Sequence, residues 1–305
     1  MALDLGDSPM DGMVDVTPRV RRFPLPSRGG EMAALEFGPA DRPLDLVFCH
    51  ANGFNARTYR TLLGPLSATL RILAIDLRGH GATTLPTVLE DRPGWADYRD
   101  DLLALLPHVT SGPVVVAGHS MGATTSLMAA AQAPQTIGRL VLFDPVLSPI
   151  RTELAPADIA QSPLVQGALR RRSTFDSREA AFAAYQGRGA FKTWSDDQLA
   201  DYVAAGFHDL EDGRVELACA PAWEASNFSV YDGQAWAAAQ TCPCPVRIFR
   251  AEHGSTCRID DHIEALTATG RYRIETVPGT SHFLPMERPD LVREALAQAV
   301  AELAA

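Results

Sequence analysis

Residues 118–122 read GHSMG, which puts Ser120 between two glycines where an apolar run meets a helical segment. A turn this tight strains the backbone of its central residue, and flanking glycines relieve contacts with the adjoining strand and helix. The Ser120 hydroxyl would then stand clear at the carboxyl end of the strand, facing the unpaired N–H groups of the helix. A G-x-S-x-G stretch in this setting is typical of a nucleophile elbow, so we predict that Ser120 is a catalytic nucleophile.

A serine hydroxyl needs a neighbouring base, and histidine suits that role near neutral pH. Of the eight histidines, His282 lies in TVPGTSHFLPMERP, between the last predicted strand and the last predicted helix. That loop opens at the same edge of the sheet as Ser120, so we predict that His282 is the base. We expect His50 and His119 to have structural roles.

Attack on an ester carbonyl creates an oxyanion, which preorganised backbone N–H groups stabilise. The N–H of Met121, directly after the nucleophile, is one predicted donor. The second should come from HANGFN (50–55), whose small residues let the backbone approach a ligand. We choose Asn52 as this second donor and leave Gly53 and Phe54 as alternatives.

The elements that must position these groups follow from apolar runs that alternate with helical segments. The predicted strands lie at 44–50, 71–76, 112–120, 138–144, 245–251 and 272–278, after an N-terminal hairpin. Short continuous apolar strands between helices indicate a mostly parallel sheet covered on both faces, which is an α/β fold.

Residues 148–242 interrupt this alternation with helical segments and hold three of the four tryptophans. We predict a flexible leader at 1–18, a core formed by 19–147 and 243–305, and an inserted helical cap at 148–242. Ligand sites of open sheets lie at the carboxyl edge and are mostly apolar. Trp194, Trp223 and Trp236 are therefore our candidates for the lining of the substrate pocket.

The ordered stretches HANGF, DLRGHG, GHSMG and GTSHF resemble the α/β-hydrolase fold superfamily, in its capped serine esterase-like branch. The resemblance spans nearly the whole chain beyond the leader. It implies a triad in the chain order serine, acid, histidine and a fold with helices on both faces of the sheet.

The acid departs from the family pattern, because Gly254 stands where an aspartate usually follows the strand VRIFRA. A variant of the family carries the acid after the preceding strand, and there this chain has Asp144. A carboxylate at that place can reach the histidine that faces Ser120. We predict Asp144 as the acid and keep Glu252 as the alternative.

The 305 residues carry a formal net charge of −10 with no basic stripe, which argues against nucleic acid and anionic membrane surfaces as partners. The five cysteines have no disulfide-framework spacing, and the N-terminus lacks signal-peptide features, so we expect a cytoplasmic protein. We expect no cofactor and no metal, and we leave a homo-oligomer open.

The predicted function is a serine hydrolase that cleaves a small, apolar carboxylic ester or lactone through an acyl-enzyme. The same triad could instead serve C–C bond hydrolysis, perhydrolysis or acyl transfer. An alternative of another class is a non-catalytic receptor that binds a ligand on this fold.

Overall fold

The structure is a computed structural model that describes residues 17–90, 92, 94–149, 156–229 and 233–305. The predicted leader at 1–18 lies outside the described residues, except for its last two positions. The boundaries predicted for the core and the cap stay predictions.

The centre of the molecule is an eight-stranded sheet in the order β1-β2-β4-β3-β5-β6-β10-β11. Its strands are β1 (Arg19–Leu25), β2 (Gly30–Phe37), β3 (Leu46–Cys49), β4 (Ile72–Ile75), β5 (Val114–His119), β6 (Ile137–Phe143), β10 (Val246–Ala251) and β11 (Tyr272–Val277). The pairs β1–β2 and β2–β4 are antiparallel and the other pairs are parallel. The predicted N-terminal hairpin and the mostly parallel sheet are therefore confirmed.

Helices cover both faces of this sheet. They are α1 (Arg60–Leu63), α2 (Ala96–Val109), α3 (Met121–Ala130), α10 (Ile263–Ala268), α11 (Leu284–Glu287) and α12 (Pro289–Ala304). The predicted helix after β3 is broken into α1 and two short 3-10 turns, Ala56–Tyr59 and Gly64–Ala68. A proline follows Gly64, and this pair removes a helical hydrogen bond and favours a break.

The inner strands β3, β4 and β5 are buried along their whole length, because their side chains alternate between two hydrophobic cores. In β5, Val114 and Val116 belong to the core on one face, and Val115 and Ala117 belong to the core on the other. A strand covered on both faces reads as a continuous apolar run, which is why the sequence pattern located these strands. This burial fixes the sheet edge from which the site is built.

Between β6 and β10 the described residues form a separate set of elements. Its helices are α4 (Pro156–Ala160), α5 (Pro163–Leu169), α6 (Arg178–Tyr185), α7 (Asp196–Ala205), α8 (Pro221–Ser229) and α9 (Gln234–Thr241). A three-stranded antiparallel sheet of β7 (Thr174–Phe175), β8 (Phe207–Asp209) and β9 (Val215–Leu217) joins them. The expectation of an all-helical segment missed this sheet, because strands of two or three residues are too short to show a period of two.

None of the helices in the described ranges has both the length and the apolar character needed to cross a membrane.

Candidate active site

Ser120 occupies a strained turn between β5 and α3. Its backbone angles are φ 53° and ψ −118°, a region that side chains rarely adopt. A Cβ atom at Gly122 would lie 2.3 Å from the carbonyl oxygen of Cys49, and one at Gly118 would lie 2.6 Å from the carbonyl carbon of Gly122. Glycine is therefore required on both sides of the serine, as the sequence pattern predicted.

Ser120, His282 and Asp144 form one continuous chain of hydrogen bonds. The Ser120 Oγ lies 2.9 Å from Nε2 of His282, and Nδ1 of the same ring lies 2.6 Å from Oδ2 of Asp144. His282 stands in the loop between β11 and α11, and Asp144 follows β6 directly. Three strand ends thus bring the predicted nucleophile, base and acid together.

Asp144 is fully buried and accepts several hydrogen bonds from the last residue of β10 and from the loop that follows it. The N–H of Ala251 lies 2.9 Å from its Oδ1, the Ser255 hydroxyl 2.5 Å from the same oxygen, and the N–H of Thr256 3.1 Å from Oδ2. Burial acts to raise the pKa of Asp144, but bonds from His282, Ser255 and Ala251 outweigh it and hold that pKa below its usual value. The carboxylate is ionised at neutral pH and aligned on His282.

Glu252, the alternative acid, has a different environment. Its side chain is 46% exposed, and its Oε2 accepts a hydrogen bond of 2.7 Å from the N–H of Gly279 and lies 3.4 Å from Nε2 of His253. His282 donates from Nδ1 to Asp144 and not to Glu252.

In the loop after β3, the N–H of Asn52 has no acceptor among the described residues. Ala51 N donates to the Tyr59 hydroxyl, Gly53 N to Nε2 of His80, and Phe54 N to the carbonyl of Ala51. Among the described residues, no acceptor is bonded to the N–H of Asn52 or to that of Met121. Of the three candidates for the second oxyanion donor, Asn52 alone keeps its N–H available.

His50 and His80 hold this loop as neutral rings. His50 donates from Nδ1 to the Ala51 carbonyl (2.7 Å) and accepts at Nε2 from the N–H of Leu77 (2.9 Å). His80 donates from Nδ1 to the Arg78 carbonyl (2.9 Å) and accepts at Nε2 from Gly53. Each ring must donate at one nitrogen and accept at the other, which a protonated ring cannot do. Burial lowers the pKa of His80 to about 4 and that of His50 well below its usual value.

His119 connects the same loop to the predicted base. Its Nε2 donates to the carbonyl of His282 (2.7 Å), and its Nδ1 accepts from the Tyr59 hydroxyl (2.8 Å). Burial lowers the pKa of His119 to about 3, so the ring is neutral. We expected a structural role for His119, and its contacts are those of a residue that orders the site.

The three candidate pocket tryptophans have different surroundings. Trp194 packs edge-on against Phe54 with ring centroids 5.1 Å apart, and its ring lies 6.4 Å from that of Phe283, the neighbour of His282. Trp223 is buried and donates from Nε1 to the carbonyl of Arg78, at 3.0 Å. The ring of Trp236 lies 4.9 Å from that of His262. Only Trp194 is linked to the triad through ring contacts.

Several residues of the site carry no signal in the sequence. Ser255 and Thr256 support Asp144, Tyr59 joins the loop after β3 to His119, and Asn227 of α8 binds the side chain of Asn52. Apart from the bond between Tyr59 and Ala51, which are eight positions apart, each of these contacts joins residues far apart in the chain, so local periodicity and motif spacing could not reveal them.

Comparisons with known proteins agree with this architecture. A family model described as alpha/beta hydrolase family matches residues 46–295. The 2-(acetamidomethylene)succinate hydrolase of Mesorhizobium japonicum is 26% identical over 256 residues, which cover 82% of this chain and 86% of that protein. The esterase Rv0045c of Mycobacterium tuberculosis is 35% identical over 127 residues, about 40% of each chain.

A solved structure gives the same result for the fold. The crystal structure of an E-2-(acetamidomethylene)succinate hydrolase superposes with a TM-score of 0.75 at 23% identity, over 93% of this chain and 99% of that one. Together with the family match over most of the sequence, this agreement shows that the chain belongs to the alpha/beta hydrolase family.

Proposed function

We propose that this hydrolase cleaves a small carboxylic ester or lactone through a covalent acyl-enzyme on Ser120. The observation that carries the proposal is the continuous hydrogen-bond chain from the Ser120 hydroxyl through His282 to the buried Asp144 carboxylate. A nucleophile, a base and a group that orients the base are the parts that acyl transfer requires.

In the first half of the reaction, Ser120 Oγ attacks the substrate carbonyl while Nε2 of His282 takes the hydroxyl proton. The Asp144 carboxylate stabilises the imidazolium that forms. The negative charge moves to the carbonyl oxygen, which the N–H groups of Met121 and Asn52 bind. Collapse of this intermediate breaks the bond to the alcohol oxygen, and Nε2 of His282 returns the proton to that leaving group.

In the second half, water replaces the alcohol. Nε2 of His282 takes a proton from the water as its oxygen attacks the acyl carbon, and the same two N–H groups hold the new oxyanion. The bond to Ser120 Oγ then breaks and His282 gives the proton back to the serine. The products are the carboxylic acid and the regenerated hydroxyl.

The surroundings of the triad favour an uncharged, apolar acyl group. Phe54, Phe283 and Trp194 form an aromatic cluster beside His282, with ring centroids of Phe54 and Phe283 6.3 Å apart. The guanidinium of Arg171 lies next to Gly53 of the oxyanion loop, but it is paired with Glu224 and donates to the Tyr202 hydroxyl at 2.7 Å. A substrate carboxylate would have to compete with Glu224 for this cation.

The pairing of Arg171 with Glu224 favours our proposal over the activity in the name of the Mesorhizobium relative, because that name describes a succinate derivative. We propose residues 148–242 as the cap and Trp194 as the tryptophan that lines the acyl site. Trp223 and Trp236 serve in packing on this view. The five cysteines are buried and unpaired, which supports a reducing, cytoplasmic location.

The proposal is tested with a fluorophosphonate probe and a panel of p-nitrophenyl esters and lactones of graded acyl length. Wild type should be labelled and should turn over members of the panel, because an activated serine beside an oxyanion hole phosphonylates readily. Ser120→Ala should lose both properties. Ser126→Ala is a matched control, since Ser126 lies in α3, directly after the Ser120 turn, and donates to the Gly122 carbonyl at 2.7 Å.

Each alternative gives a different result. A folded wild type without labelling or turnover would favour the ligand-binding receptor, and labelling that survives Ser120→Ala would overturn the nucleophile. Labelling without turnover of any ester or lactone would move the reaction to another use of the triad. Added hydrogen peroxide, an alcohol acceptor or an activated diketone would then separate perhydrolysis, acyl transfer and C–C hydrolysis.

A further inference from the structure

The side chain of Asn52 is bound at both ends by helix α8. Its Nδ2 donates to the carbonyl of Glu224 at 3.1 Å, and its Oδ1 accepts from Nδ2 of Asn227 at 2.7 Å. The residue whose backbone N–H is available beside the nucleophile is therefore tied to the proposed cap. The hydrogen bonds of the triad do not involve Asn52, so its bonds to α8 need a separate explanation.

The orientation of Asn227 is fixed from its other side. Its Oδ1 accepts from Nη1 of Arg92 at 2.7 Å and from the Tyr98 hydroxyl at 2.8 Å, and its carbonyl accepts from Nε1 of Trp95 at 3.1 Å. A guanidinium has only donors, so the Asn227 amide must turn its oxygen to Arg92 and its nitrogen to Asn52. Asn227 is 1% exposed, so water does not compete for these bonds.

This order determines the orientation of the Asn52 amide as well. Facing a donor on Asn227, Asn52 must present Oδ1 there, which leaves Nδ2 for the Glu224 carbonyl. The chain from Arg92 through Asn227 to Asn52 has one arrangement that satisfies every donor and acceptor. The position of Asn52 is thus set by the core helix α2, which carries Tyr98, and by α8 together.

The peptide that carries the Asn52 N–H is also held on its carbonyl side. The carbonyl of Ala51 belongs to this peptide and accepts from Nδ1 of His50 (2.7 Å) and from the N–H of Phe54 (3.1 Å). In a trans peptide the N–H points away from the carbonyl, so these bonds direct the Asn52 N–H to the opposite side. The hydrogen bonds between the Asn52 side chain and α8 hold the other side of the same N–H group, so the orientation of this peptide is fixed from both sides.

We propose that Asn227 is a positioning residue for the oxyanion hole, through which the cap sets the rate of the chemical step. The inference rests on the proposed function, because it requires that the Asn52 N–H bind the oxyanion. An oxyanion donor acts on the transition state more than on bound substrate, and a displaced donor loses much of its effect. Loss of the Asn227 amide should therefore lower kcat and leave KM nearly unchanged.

The test compares Asn227→Ala with Ser226→Ala in the full chain, on an ester that wild type turns over. Ser226 is a matched control because it shares the helix and also accepts from Nη1 of Arg92, at 2.6 Å, whereas the bonds from α8 to the Asn52 side chain come from Glu224 and Asn227. We expect Asn227→Ala to lower kcat by about 10- to 100-fold with KM within about threefold. Ser226→Ala should keep kcat within about twofold.

Two further measurements separate positioning from a purely structural role. An alkyl trifluoromethyl ketone forms a tetrahedral adduct on Ser120 whose oxyanion occupies the hole, so its affinity should fall by the same factor as kcat/KM. Asn52→Ala removes both side-chain bonds but keeps the backbone N–H and the contacts of Asn227 with Arg92. It should match Asn227→Ala, and the double variant should be no slower than either single variant.

The outcomes are distinct. The inference is overturned if Asn227→Ala keeps wild-type kcat, if KM carries the loss, or if the two variants add independently. Should Asn227→Ala fail to fold, Asn52→Ala alone decides by the same kcat and inhibitor readouts. Turnover that persists in Ser120→Ala would instead refute the proposed function. It would also remove the premise of the inference, which is that an oxyanion formed by attack of Ser120 binds the N–H of Asn52.

Discussion

The loops after β6 and β10 leave the same edge of the sheet from neighbouring strands, but they contribute different groups to the site. The first places Asp144, fully buried and with a positive φ of 43°, within 2.6 Å of His282. The second carries Glu252 toward solvent and turns Ser255 and Thr256 toward the Asp144 carboxylate. One loop supplies the charge and the other supplies the donors that stabilise it.

This arrangement shows how a carboxylate that follows a different strand from the one in the family pattern can still lie beside the histidine. A buried carboxylate needs several donors, and the loop after a neighbouring strand is the nearest source of them. Here the N–H groups of Ala251 and Thr256 and the Ser255 hydroxyl provide these donors. The loop after β10, which has Gly254 where the family pattern places an aspartate, is therefore still part of the site.

The largest effect should come from Asp144→Asn. The neutral amide can donate to Nδ1 of His282, which favours the tautomer whose Nε2 carries a proton and cannot take one from Ser120. We expect kcat to fall by roughly two to four orders of magnitude. Steady-state kinetics on the best ester of the panel measures it, with circular dichroism to show that the variant is folded. A decrease in kcat of less than tenfold in a folded variant would contradict the assignment of Asp144 as the acid.

A smaller effect should follow from Ser255→Ala, which keeps the carboxylate and removes one donor. Hydrogen bonds to a charged group contribute about 1–3 kcal/mol, so the free energy of unfolding at pH 7 should fall by about that amount. If Ser255→Ala removes about 1.4 kcal/mol of transition-state stabilisation, its kcat should be about tenfold lower than that of wild type.

The loss of stability in Ser255→Ala should depend on pH. The pKa of Asp144 is below its usual value in the folded state, so its contribution to stability is present above the unfolded pKa and is lost as pH falls through the folded pKa. The deficit of Ser255→Ala should therefore be full at neutral pH and shrink in acid. Denaturant unfolding across that range measures it, and a deficit that is independent of pH would mean that Ser255 acts through packing alone.

The smallest effect should be that of Glu252→Gln, on the same loop as Ser255. Its side chain is half exposed and bonds the Gly279 N–H, which the new amide oxygen can still accept. We expect kcat within about twofold of wild type and a change in unfolding free energy below about 0.5 kcal/mol. A kcat loss larger than that of Asp144→Asn would transfer the role of the acid to Glu252.

Local sequence patterns were sufficient for the fold class, the elbow and the loop of His282. Continuous apolar runs marked strands buried on both faces, and the glycines beside Ser120 marked a turn in which a Cβ would collide with backbone. These features depend on residues close together in the chain. The family resemblance added the order of the triad and left Asp144 and Glu252 both open.

Only the tertiary structure decided which carboxylate meets His282, which N–H of the loop after β3 stays available among the described residues, and how α8 holds Asn52. Asp144 and the donors of the β10 loop are more than one hundred positions apart in the chain, and Asn52 and Asn227 are 175 apart. Such contacts arise because β6 and β10 are neighbours in the sheet and because α8, from the segment between them, lies against the loop after β3. Periodicity and motif spacing report on local backbone geometry, whereas hydrogen bonds between distant segments depend on how the whole chain packs.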